Sequence, residues 1–95
     1  MLVKPNKTVV RGEVCSIRPE PGGSGAEIHL RVLRNESPSL EDDFLRPEEG
    51  SILKLFTSQP THEMRVGEIV RADARLNAGP TGGLAVLQKF EKVTE

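Results

Sequence analysis

Ninety-five residues with a net charge of −1, three Phe and neither Trp nor Tyr describe one small domain built on aliphatic side chains. A chain of this length excludes a deep cleft between two lobes, and a single cysteine, Cys15, excludes an intramolecular disulfide framework. The lone thiol, the lack of a long apolar run in MLVKPNKTVV and the absence of any stretch near the ~18 apolar residues of a membrane span lead to the expectation of a soluble, cytoplasmic, single domain. Residues 1–6 and 94–95 are expected to be loose ends.

The first strand is expected from about Lys7 to Arg18. Its pattern slips phase, because Val10, Gly12 and Val14 share one face while Cys15 and Ile17 share the other. A slip beside a glycine points to a bulge or sharp bend, the device that turns a long strand from one sheet into the next. Cys15 within this strand reads as a small core hydrophobe. PEPGGSG, from Pro19 to Gly25, ends the strand, since no strand interior tolerates that density of Pro and Gly. The second strand, Ala26 to Arg34, alternates well. Ala26, Ile28, Leu30 and Val32 face inward, whereas Glu27, His29, Arg31 and Leu33 face out.

A long acidic connection comes next. Between Asn35 and Gly50, six carboxylates face Arg46 alone, so the rest of the chain is mildly basic. A solvated loop explains this; a loop that shields a basic face explains it too. Ser39 is placed to cap a short helix from Leu40 to Arg46, with Glu41 and Asp42 in the first turn where the helix dipole favours negative charge. Leu40, Phe44 and Leu45 form its apolar stripe, and Pro47 ends it. So short a helix must pack on the remainder of the fold.

A third strand is expected over Ile52 to Thr57. QPTHEMR, Gln59 to Arg65, then makes a short turn, with room for one 3₁₀ turn after Pro60. The stretch from Val66 to Val93 reads as two long strands joined at a tip, Asn77 to Gly83. In the fourth strand Val70, Ala72, Ala74 and Leu76 fall on one face and Arg71, Asp73 and Arg75 on the other. One face therefore meets a core and one meets water.

Five strands, a bent first strand and two Gly-rich tips resemble the oligonucleotide/oligosaccharide-binding (OB) fold, a five-stranded Greek-key barrel. The resemblance covers Thr8 to Val93 and rests on strand order and turn placement. Val66-Gly67-Glu68-Ile69-Val70 is similar to the hydrophobic–Gly–acidic–x–Val entry to strand four in many single-stranded-DNA-binding members. One departure is the helix. The family places it between strands three and four, and here the helical segment lies between strands two and three. Either another segment plugs the barrel or the fold is a different small barrel, such as an SH3-like one; strands of about ten residues favour the former. The fold expected is thus all-β, a five-stranded OB-like barrel with one short helix in the second connection.

Catalytic patterns are missing. His62-Glu63 lacks a second His at helical spacing, and Cys15, His29 and His62 lie in three distant segments, so neither a zinc-protease nor a structural zinc pattern is present. Asp42 and Asp43 lack a Gly-punctuated ligand loop. PGGSG lacks the Lys-Ser/Thr ending of a phosphate-cradling loop, and Ser24 has no base nearby in sequence. The expectation is a non-catalytic binding module without metal or cofactor.

The resemblance implies a ligand surface on the outer face of strands two and three. That face would carry His29 and Arg31 and, if Leu53 and Leu55 point inward, Lys54 and Phe56. Bases stack on an exposed ring while cations neutralise phosphates, so single-stranded nucleic acid is the partner implied, with Arg71 and Arg75 extending the positive track. Plainer readings stand beside this one. Phe56 in a misphased strand is core, His29 and Arg31 are solvated strand residues, and Arg71, Asp73 and Arg75 satisfy cross-strand partners such as Glu91. The alternative function is protein–protein or self-association through outward Leu33, Ile69 and Leu87.

Overall fold

The computed structural model describes residues 5–20, 25–58, 63–79 and 82–93, with the side chains of 78, 79 and 82 left aside. Five strands account for most of them: β1 (Thr8–Pro19), β2 (Ala26–Asn35), β3 (Ile52–Thr57), β4 (Ile69–Gly79) and β5 (Gly82–Lys92). They close into a barrel in the order β1-β2-β3-β5-β4. β4 returns antiparallel to β1, and β3 meets β5 in parallel at Phe56 and Val86. This all-β closed barrel is compatible with the OB fold.

The interior follows the period-two pattern. Val10, Val14, Ile28, Leu30, Leu55, Val70, Ala72 and Ala74 are wholly buried, and Leu53 packs partly against them. Each fully buried Val, Leu or Ile contributes about 1.5–3 kcal/mol relative to exposure. Met64, from the β3–β4 connection, is also buried in this core. An apolar side chain of that connection therefore packs inside, where the OB family places its helix. The expected 3₁₀ turn after Pro60 lies outside the described residues.

Three extra residues break the strand register. In the β1–β2 ladder, Arg11 faces Arg34 and Gly12 faces Val32, so Leu33 is the extra residue; Val14 faces Leu30 and Ser16 faces His29, so Cys15 is another. The irregularity expected beside Gly12 is present. The separate bulge at Cys15 departs from the sequence reading, because the thiol is exposed there and not in the core. The bulge also restores the phase, so that Ile17 packs against the core instead of sharing a face with Cys15. The third extra residue is Gln88 in β5, since Asp73 faces Lys89 and Ala74 faces Leu87. That shift turns both Leu87 and Phe90 inward, which corrects the expectation of an outward Leu87.

The β4–β5 ladder runs on through Asn77↔Leu84, Ala78↔Gly83 and Gly79↔Gly82. The tip expected at Asn77 to Gly83 is thus mostly strand.

The short helix expected over Leu40 to Arg46 is not found; that segment consists of turns and bends, and there is no helix among the described residues. Two local causes oppose it. Pro47 restricts the preceding residue away from the helical region, and Arg46 adopts φ 44°. Asp43 is turned inward, 2% exposed, and accepts hydrogen bonds from Thr8 Oγ1 (2.7 Å), Asn35 Nδ2 (2.7 Å) and the Arg46 amide (2.9 Å). Leu40, which the helix would have buried, is 81% exposed. Leu45 does pack against the core.

Gly67 explains the Val-Gly-Glu entry to β4. Its φ of 94° suits glycine, and in this turn its amide donates to Val14 O (2.8 Å) while Glu68 O accepts from the Val14 amide (2.9 Å). The Glu68 carboxylate accepts from the Arg65 amide (2.7 Å) and so holds the turn.

Candidate nucleic-acid interface

The β2–β3 ladder sets Glu27 opposite Phe56, His29 opposite Lys54 and Arg31 opposite Ile52. Since Ile28, Leu30 and Leu55 point into the core, these six residues share the outer face. His29, Arg31, Lys54 and Phe56 are therefore brought together. Phe56 is partly buried and faces outward, with Lys54 Nζ 5.8 Å from the ring centroid, within cation–π range.

Carboxylates interleave with the cations. Glu27 accepts from His29 Nε2 at 2.9 Å through Oε2 and lies 3.6 Å from Lys54 Nζ through Oε1. The hydrogen bond from His29 holds its carboxyl below the usual glutamate range; burial opposes this, and the Lys54 charge adds to it. Arg31 is paired with Glu13 of β1. The face is thus a mixed ion-pair lattice around one ring, with Arg18 of β1 placed opposite Glu27.

Arg71 and Arg75 are not part of it, because β1 stands between β4 and β2. Arg71 forms a pair with Glu91 (Nη1–Oε1 3.5 Å), as the cross-strand reading expects, and a closer one with Glu36 (Nε–Oε1 3.1 Å). Arg75 is exposed opposite Val86. Asp73, between the two arginines on β4, lies 3.6 Å from Lys7 Nζ.

Sequence reasoning misses a second basic cluster. Arg11 on β1 faces Arg71 on one side and Arg34 on the other. Strict alternation after Val32 would send Arg34 into the barrel, but the bulge at Leu33 turns it out. Glu36, just beyond β2, lies 3.2 Å from Arg11 Nη2 and so bridges Arg11 and Arg71. Its own amide donates to Val9 O (2.8 Å), which fixes the carboxylate's position. These residues line an open groove of about 720 Å³. Beyond the Leu33 bulge, no local signal marks the cluster in the sequence.

No family model matches this chain, and neither a curated protein nor a solved structure matches it.

Proposed function

We propose that the chain is a non-catalytic OB-type binding module whose outer β2–β3 face takes single-stranded nucleic acid weakly. The observation that carries this reading is the register of β2 and β3, which sets Phe56, Lys54, His29 and Arg31 side by side on a solvent-facing sheet. The strand order, with β3 parallel to β5 and β4 returning to β1, supports the OB assignment and its Greek-key path.

Weakness follows from the site's composition. Stacking contributes about 1–3 kcal/mol per base, and the β2–β3 face carries one ring, Phe56. Arg31, His29 and Lys54 must also exchange Glu13 and Glu27 for phosphates, so little net Coulomb energy is gained. Affinity rests on stacking, with counterion release on top. For each phosphate contacted, log K falls by about 0.7 per log unit of salt.

Anisotropy of labelled oligo-dT, measured at low and at moderate salt with wild type and Phe56→Ala, tests the reading. Binding that weakens with salt and is lost in Phe56→Ala supports it. Binding absent at low salt, or unchanged in the variant, overturns it.

Exposed Ile52 (56%) and Leu33 at the ends of β3 and β2 favour a second reading, association with a protein or with another copy. Size-exclusion chromatography across protein concentrations separates the two. A concentration-dependent shift abolished by Ile52→Ser, without oligonucleotide binding, selects association.

A further inference from the structure

Three adjacent strands each place one arginine at the same level of the barrel wall: Arg71 on β4, Arg11 on β1 and Arg34 on β2. Like charges directly opposite each other in a sheet repel and destabilise it, so such a row needs anions. Glu36 serves two of them, and Glu91 lies beside Arg71 at 3.5 Å. Arg34 is exposed and has no ion-pair partner among the described residues. Arg11 Nε is buried with no hydrogen-bond partner. Lys92 at the rim is held by Glu68 (3.2 Å) and leaves the balance unchanged. The row thus keeps one positive charge in excess, on residues that line an open groove, and one donor, Arg11 Nε, buried and unanswered.

We propose that this arginine row is a phosphate-binding site, distinct from the β2–β3 face. Guanidinium groups present planar pairs of donors that match the oxygens of a phosphate, and a tetrahedral oxyanion can accept from several at once. Glu36 already uses its two oxygens in this way, one on Arg11 and one on Arg71, and so acts as a built-in competitor for part of the site. Arg34 supplies the open charge. The excess of a single charge suits a phosphate group in its monoanionic or diester form. A free phosphate and the backbone of an oligonucleotide share this chemistry.

The test is an NMR titration that follows the arginine Nε–Hε resonances at constant ionic strength. One arm adds inorganic phosphate against chloride, and the other adds oligo-dT. Wild type, Arg34→Gln and Glu36→Gln are compared after each is shown to keep the barrel's amide spectrum. The expected result is a saturable shift of Arg11 and Arg34 with phosphate. It weakens about tenfold in Arg34→Gln and tightens about threefold to fivefold in Glu36→Gln as the competing carboxylate is removed. If Glu36→Gln does not fold, Arg34→Gln alone decides. Shifts in the oligonucleotide arm only also support the site, with the diester backbone as its source. Because Phe56→Ala leaves this wall intact, phosphate binding should persist in that variant even if the β2–β3 reading fails. No shift in either arm, or the same shift in Arg34→Gln, overturns the proposal.

Discussion

Thr8 Oγ1 donates a 2.7 Å hydrogen bond to Asp43 Oδ1, joining the start of β1 to the acidic connection between two fully or almost fully buried groups. Asn35 Nδ2 and the Arg46 amide complete the shell, so every neighbour of this carboxylate is a donor. Asn35 cannot reverse its amide, because its Oδ1 accepts from the Ser37 amide at 3.0 Å. The most acidic stretch of the chain is thereby anchored by one of its own charges.

Asp43→Asn would set one NH₂ group against donors only. The expected cost is about 1–3 kcal/mol, the range for a buried hydrogen-bonding group left unmatched. Urea denaturation of wild type and variant measures it, and an unchanged midpoint would show that the shell is not structural.

The same carboxylate gives the acid limb of stability a defined direction. Burial raises the Asp43 pKa, but the hydrogen bonds from Thr8, Asn35 and the Arg46 amide more than offset this and hold it below the ordinary value of 3.8. A folded-state value lower than the unfolded one means that the contribution is fully present above 3.8 and disappears as pH falls through the lower value. Melting temperatures of wild type should fall across that acid window more steeply than those of Asp43→Asn. Parallel curves would exclude this group as the source.

At Gly12, β1 lies close against β2. A Cβ there would lie 2.9 Å from Arg31 O and 3.2 Å from Leu30 Cβ. The first of these is backbone within a ladder and cannot swing aside. Gly12→Ala is expected to cost about 1–3 kcal/mol by overpacking, read as a lower denaturation midpoint.

Phe56 and Leu30 make a matched pair of tests. Leu30 is wholly buried, so Leu30→Ala should cost about 2–5 kcal/mol. Phe56 faces outward and is only partly buried, so Phe56→Ala should leave the barrel folded and cost clearly less. Comparable losses for the two in thermal unfolding would mean that the ring is core and unavailable for stacking.

Cys15, exposed on its bulge, should react with a thiol reagent at full stoichiometry in the native protein. A reaction that requires denaturant would return the thiol to the interior.

Alternation alone is enough to read β2 as far as Val32 and β4 from Val70 to Ala74. Ala26, Ile28, Leu30 and Val32, and likewise Val70, Ala72 and Ala74, are aliphatic at every second position, and one buried face imposes that period on any strand. The same logic turns Leu55 inward and Phe56 outward, and so makes four of the six proposed contact residues readable as one face. A turn needing a glycine is equally local, as Gly67 illustrates. The helical reading of Leu40 to Arg46 fails because its apolar stripe is visible locally, whereas the burial of Asp43 depends on Thr8 and Asn35 from two other segments.

The remainder is set by closure. A barrel must bend and stagger its strands to return β4 to β1, and here extra residues at Leu33, Cys15 and Gln88 accompany that geometry. Each bulge reverses the facing of the residues beyond it, and together the three expose Cys15, bury Leu87 and turn Arg34 outward. Which cations then meet which carboxylates is a matter of register between strands far apart in sequence. Arg31 finds Glu13, and Arg71 finds Glu36, because backbone pairing across the closed wall brings them together, and no local pattern of residues encodes that.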